Sequence, residues 1–257
     1  MIKAVFFDID GTLLDHKTMS IPKSTKLAIK KLKEKGILCG VATGRHQLEI
    51  KKVNLLEDLE FDVMVSLNGQ YCYDSHGPLY TNPIDSQATK AIINLANKNN
   101  IPLIFIEENK LYATFINQDL QKAQDAIHTP VPSVENIPST HNPYYQICAY
   151  GSKEKLEPFN HIPHVKTTNW HDLAIDILPE NGNKTYGITQ TLSRFNISLD
   201  ETMAFGDGNN DVDMIQACKI GIAMKDSSQA LLEACDYITD DVSEDGIYKA
   251  LVHYKII

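Results

Sequence analysis

The sequence predicts an α/β protein: an open parallel sheet whose chain is interrupted by an inserted α+β segment. Three observations carry this. Short apolar runs alternate with helix-period segments near the N-terminus, the same rhythm returns after residue 183, and the stretch between follows a different pattern.

Taken in order, "KAVFFDI" is continuously apolar and reads as a strand buried on both faces. "IPKSTKLAIKKLKEKG" reads as a helix, with Pro22 in its first turn and Gly36 at its end. Its Lys30, Lys31, Lys33 and Lys35 form the solvent face. "ILCGVATG" is a second strand, "RHQLEIKKVNLLEDL" a second helix and "DVMVSLNG" a third strand. Strands alternating with helices at short intervals imply right-handed parallel crossovers.

The rhythm then changes. A hairpin-like "YCYDSHGPLY" precedes the helix "SQATKAIINLANKNN" and the strands "IPLIFI" and "LYATFI", which flank the turn Glu108-Asn109-Lys110. A helix from Gln118 to Ile127, the Pro-rich loop "TPVPSVENIPSTHNP", the strand "YYQICAY", the short helix "KEKLEPF" and the strands "HVKTTNW" and "LAIDIL" follow. The expected division is a core of 1–81 and 179–257 with an insert of 82–178. From Asn183 the helix "KTYGITQTLSRFN", strand "TMAFGDG", helix "NDVDMIQAC", strand "IGIAM", helix "SSQALLEAC" and a last helix after Asp245 complete the sheet.

Composition excludes several classes. With 257 residues, 43% hydrophobic and 22% charged, the chain is of ordinary globular type and has no apolar run long enough for a membrane helix. The opening residues are too short for a signal peptide, so a cytoplasmic location is expected. A net charge of −9 argues against a nucleic-acid partner. Five scattered cysteines without a CxxC pair read as core residues in a reducing compartment. His161, His164 and His171 lack tight ligand spacing and read as ordinary histidines.

Chemistry concentrates at the ends of the predicted core strands. Asp8 and Asp10 follow the first strand, Thr43-Gly44-Arg45 the second, "GDGNND" a later one, and Lys184 opens a helix. Ligands of open parallel sheets lie outside the carboxyl ends of the strands, so these residues should line one crevice. Two carboxylates about 4 Å apart repel by about 4 kcal/mol at an effective dielectric near 20. Convergence of Asp8, Asp10, Asp207 and Asp211 therefore requires a cation or altered protonation; a hard ion such as Mg²⁺ fits, with Lys184 as the fixed positive charge. Taken singly, Asp10-Gly11 also reads as a turn, Thr43-Gly44 as a helix entry and Asn209 with Asp211 as a helix cap. "DGNNDVDM" is not a calcium loop, because Val212 replaces the required Gly and Cys218 the required Glu.

The set DIDGT, ATGR, a lone lysine opening a helix and GDGNNDVDM resembles the haloacid dehalogenase (HAD) superfamily. The insert resembles the cap of its Cof-type, class IIB sugar-phosphatase branch. The resemblance implies a Rossmann-like, HAD-like core and a Mg²⁺-dependent phosphatase acting on small phosphorylated metabolites, sugar phosphates first. It makes Asp8 the nucleophile, Asp10 the acid and base, and Asp8, the Asp10 carbonyl and Asp207 the metal ligands. Thr43, Gly44, Asn210 and Lys184 would bind the phosphate. Asp211 would orient Lys184 or a water on the metal, and Arg45 reads either as a substrate contact or as an exposed arginine at a helix start. The same resemblance admits a phosphomutase or a non-catalytic metabolite-binding protein. A carboxylate at position 10 favours ester hydrolysis or phosphomutase work, a hydrolase first. Gln70 and Thr185 stand where such relatives commonly have Ala and Gly, which bears on substrate fit. The cap would close as a lid and choose the ester, since relatives accept sugar phosphates, flavin mononucleotide or pyridoxal phosphate. A monomer is the default expectation.

Overall fold

The computed structural model describes residues 1–127, 129–135 and 139–257. The chain begins with β1 (Ala4–Phe7), α1 (Lys23–Glu34), β2 (Leu38–Ala42), α2 (Gln47–Lys52), β3 (Val63–Ser66), β4 (Tyr71–Asp74) and β5 (Gly77–Thr81). Next come α3 (Ser86–Asn99), β6 (Leu103–Ile106), β7 (Leu111–Ala113), α4 (Gln118–Ala126), β8 (Gln146–Tyr150), α5 (Lys153–Leu156), β9 (Val165–His171) and β10 (Ala174–Pro179). The remainder is α6 (Lys184–Ser193), β11 (Thr202–Gly206), α7 (Val212–Ala217), β12 (Ile220–Ala223), α8 (Gln229–Ala234), β13 (Tyr237–Ile238) and α9 (Gly246–His253). These divide into two compact units, Met1–Tyr80 with Asn183–Ile257, and Thr81–Gly182.

The first unit is built on an eight-stranded sheet of order β13-β12-β11-β1-β2-β3-β4-β5. β1 lies at its centre, parallel to β11 on one side and β2 on the other. Every residue of β1 is buried, because helices cover both faces. Val5 and Phe7 join the core that includes Ala28, Ile29 and Leu32 of α1 and Ala250 and Leu251 of α9. Ala4 and Phe6, pointing the other way by the two-residue period of a strand, pack with Ile188 of α6, Met214 of α7 and Leu231 of α8. The expected α/β core is therefore present. Its sheet is mixed rather than purely parallel, since β4 runs antiparallel to β3 and carries the hairpin onto the edge.

Two further differences have local causes. The helix expected over 45–59 stops at Lys52, and Asn54 and Glu57 adopt left-handed backbone with φ of 50° and 52°. This turn chain lets Glu57 accept from the Ile21 N–H at 2.9 Å and pair with Lys26 at 2.5 Å, contacts that a continuous helix would not offer. The short β13 has no sequence signal, being two residues between helices.

The second unit is a five-stranded sheet, β7-β6-β8-β10-β9, whose paired strands are antiparallel. α3, capped by Asp85, packs Ala88, Ile92 and Ala96 against Phe105, Ile147 and Ile175. The predicted Pro-rich loop contains 136–138, which lie outside the described residues. His161 and His164 face Glu157 and Glu180 at 2.7 and 3.8 Å, and His171 accepts from the Leu173 N–H. No helix among the described residues is long and apolar enough to cross a membrane.

Candidate active site

The parallel ladder carries Asp8 and Asp207 to the same place. The Asp8 N–H donates to the Phe205 carbonyl at 3.0 Å, extending the β1–β11 pairing by one residue, and Asp207 follows β11 directly. Between these strands the sheet order reverses: chain from β1 onward builds one side, chain from β11 onward the other. Crevices of doubly wound sheets form at such points. Lys184, the first residue of α6, is fully buried, and its Nζ donates to Asp8 Oδ1 and Asp211 Oδ1 at 2.6 Å each. The remaining Asp211 oxygen accepts from the N–H groups of Asp207 and Gly208 at 3.1 and 3.0 Å. Thr12 holds Asp207 Oδ1 at 2.9 Å.

Charge density here is high. Burial pushes the Asp8 carboxyl well above the ordinary range against the opposing pull of Lys184, and Asp211, Asp207 and Asp10 push it further. Burial and then Asp211 raise Asp207 to about 7, although the Thr12 hydrogen bond and Lys184 oppose this. Burial disfavours the Lys184 ammonium, yet Asp211 and Asp8 together outweigh it and hold the group above its ordinary value.

A second set of donors lies beside these acids. Thr43 follows β2; its N–H donates to Val65, its carbonyl accepts from Asn68, and its Oγ1 accepts from the Arg45 N–H at 3.1 Å. Asn68, in left-handed backbone with φ 53°, receives the Asn210 carboxamide at 3.0 Å. Gly44 packs so closely on Asn68 that a Cβ there would stand 3.2 Å from its Nδ2. Arg45 donates to both Asp10 oxygens, Nε to Oδ2 at 2.6 Å and Nη2 to Oδ1 at 2.8 Å. Burial works against the Arg45 charge, but the Asp10 contacts more than offset it. Sequence reasoning gave no role to Thr12 or Asn68. Thr12 sits inside the DIDGT motif and could have been found from it, whereas Asn68 carries no signal beyond its place after a strand. Gln70, one of the unusual residues, is buried and donates to the Asn68 carbonyl at 2.8 Å, so it supports the turn that presents Asn68.

Carboxylate oxygens of Asp8, Asp207 and Asp211 lie within 4.8 Å of one another. This oxygen-only, mostly buried donor set suits a hard divalent cation and not a thiophilic one. Gly11 makes room for it: φ is +74°, and a Cβ would overlap the Asp207 carboxylate. Gly11→Ala should accordingly cost about 1 kcal/mol in backbone strain and displace Asp207. The expected outcome is a large loss of kcat/KM beside a small fall in Tm.

Together, the sheet, the buried lysine and the carboxylate cluster define a phosphoryl-transfer hydrolase of the aspartate-nucleophile class. The chain belongs to the haloacid dehalogenase-like hydrolases, whose family model matches residues 5–251. YkrA of Bacillus subtilis is 30% identical over 250 residues, covering 97% of this chain and 96% of its own. The solved structure of the HAD phosphatase BT1666 from Bacteroides thetaiotaomicron is 28% identical, with a TM-score of 0.91 over 100% of this chain and 96% of its own. The subclass IIB sugar phosphatase BT4131 is 32% identical, with a TM-score of 0.86 over 99% of this chain and 100% of its own. The protein is a HAD-type phosphatase centred on the Asp8, Asp207 and Asp211 cluster.

Proposed function

We propose that the protein hydrolyses small phosphomonoesters, sugar phosphates foremost, with Mg²⁺ as cofactor and Asp8 as nucleophile. The observation that carries this reading is the buried Lys184 ammonium spanning Asp8 and Asp211, with Asp207 beside them. Such a buried cation orients one carboxylate and offers positive charge where a phosphoryl group gathers negative charge. The sugar-phosphate class is supported by the likeness to BT4131. Choice among esters is assigned to the inserted unit.

Asp8 attacks phosphorus, the bond to the leaving oxygen breaks, and Asp10 gives that oxygen its proton. Water then attacks the aspartyl-phosphate, its proton returns to Asp10, and the bond to Asp8 breaks to release phosphate. Lys184, Thr43, the Gly44 backbone and Asn210 hold the phosphoryl oxygens, and Asp211 keeps Lys184 in place. Asp8, Asp207 and the Asp10 carbonyl would hold Mg²⁺. When bound, it screens the repulsion between the Asp8 carboxylate and the phosphate.

The test is hydrolysis of p-nitrophenyl phosphate followed by a kcat/KM comparison across phosphorylated metabolites. EDTA should abolish turnover and Mg²⁺ restore it. Release of no inorganic phosphate, with a requirement for a bisphosphate activator, would instead identify a mutase.

Protonation supplies a further expectation. In the metal-free protein Asp207 keeps its proton to about pH 7, and a cation must displace it. Mg²⁺ binding should therefore release protons and tighten as pH rises from about 6 to 8, by up to about tenfold per unit for the Asp207 proton and more steeply where Asp8 also gives up its own. Titration calorimetry in buffers of different ionisation enthalpy checks this, and a Kd flat across that range would count against it.

A further inference from the structure

Arg45 engages Asp10 through the edge of its guanidinium, with Nε and Nη2 each donating to a different carboxylate oxygen at 2.6 and 2.8 Å. An exposed ion pair of this kind would contribute little. Here the Arg45 side chain is 20% exposed and that of Asp10 32%, and the contact is the planar fork that fixes geometry as well as charge. Arg45 is itself anchored. Its N–H donates to Thr43 Oγ1, and its carbonyl accepts from the Leu67 N–H at 3.4 Å, tying it to the turns after β2 and β3. The His16 ring also stands near Asp10, at 3.9 Å, beyond hydrogen-bond length and 57% exposed, and Asp8 and Asp207 are acidic neighbours.

We infer that Arg45 is a positioning residue for the reaction: its fork sets the orientation of the Asp10 carboxylate, which carries the proton between leaving group and water. Both Asp10 oxygens accept from the guanidinium, and each keeps a second lone pair on which the transferable proton can sit. Two of its five donors are committed to this one carboxylate, 35 residues away in sequence. The inference rests on the phosphatase reading and goes beyond it by assigning Arg45 to Asp10 and not to the substrate.

The experiment compares an alkyl phosphate, whose alkoxide must be protonated as it leaves, with p-nitrophenyl phosphate, whose nitrophenolate leaves unaided. Arg45→Gln should lower kcat for the alkyl ester by about 100-fold with KM changed less than about threefold. Single-turnover release of p-nitrophenol should stay within about tenfold of wild type, because attack by Asp8 needs no proton from Asp10. Asp10→Asn should show the same pattern more deeply, and Asp10→Asn combined with Arg45→Gln should be no slower than Asp10→Asn alone. Arg45→Lys retains charge and length but not the fork, and should fail to restore alkyl-ester turnover while melting like wild type.

Raised KM for both esters in Arg45→Gln, with losses that multiply in the double variant, would assign Arg45 to the phosphate and overturn the inference. So would full alkyl-ester activity in either Arg45 variant. Wild type yielding neither a nitrophenol burst nor phosphate would overturn the hydrolase reading and this inference with it. An active wild type with unaffected variants would overturn the inference alone.

Discussion

Asp8→Asn should reduce turnover of any phosphomonoester by at least about 10⁴-fold, because an amide cannot accept phosphorus. The same variant should be more stable than wild type in the absence of divalent cations. Asp8 is buried, and burial together with Asp211, Asp207 and Asp10 disfavours its charge by more than Lys184 favours it. An isosteric amide still offers Lys184 an oxygen but removes one negative charge from the cluster. A gain on the order of 1 kcal/mol would raise Tm by about 2–4 °C for a chain of this size. Linkage fixes the sign of the pH dependence. With its folded value raised, Asp8 costs stability as pH climbs above the ordinary carboxylate range, so the advantage of Asp8→Asn should be small near pH 4 and grow toward neutrality. Scanning calorimetry in EDTA at both pH values checks this. A variant that loses activity and stability together at neutral pH would contradict it, and saturating Mg²⁺ should narrow the gap by stabilising wild type preferentially.

Lys184→Met is the second large effect. It removes the buried cation between Asp8 and Asp211 and leaves two carboxylates facing each other without compensation. Breaking a buried pair from one side typically costs about 3–5 kcal/mol, and loss of a charge aimed at the transferring group about 10³-fold in kcat. Urea unfolding and single-turnover kinetics measure the two separately. Because Lys184 is raised above its ordinary value of 10.5, its contribution is fully present throughout the neutral range and is lost only in strong alkali. The deficit of Lys184→Met should instead shrink as pH falls, when the raised Asp8 carboxyl takes up its proton. Lys184→Arg should not rescue, since the fully buried site fits an ammonium between two oxygens and not a planar guanidinium.

Much of this site was legible without coordinates because its acids occupy fixed offsets from strand ends. A buried strand such as "AVFF" must stop where polar residues begin, and parallel strands in one sheet stop on the same edge, so Asp8 and Asp207 could be placed on that edge from pattern alone. What pattern could not supply was lateral pairing. Asn68 and Asn210 touch across 142 positions, and nothing local to either residue encodes that contact. Arg45 shows the same limit. Its type and place beside Thr43 suggested either a substrate contact or an exposed arginine at a helix start, and neither reading contained the pairing with Asp10 that takes two of its donors. The truncated α2 failed for another reason: Glu57 satisfies the distant Ile21 N–H, and that tertiary contact overrides a sequence that reads as helical.

The neighbours of β1 carry a consequence for how the chain is made. One flank is completed by β2 within the first 42 residues, the other only when β11 arrives at Thr202–Gly206. On the ribosome, a central apolar strand with one open edge must therefore wait for some 160 further residues, about 8–30 s at ordinary elongation rates. Nascent chains are most exposed to edge-to-edge association in that interval, and polypeptides released before β11 keep the sticky edge permanently.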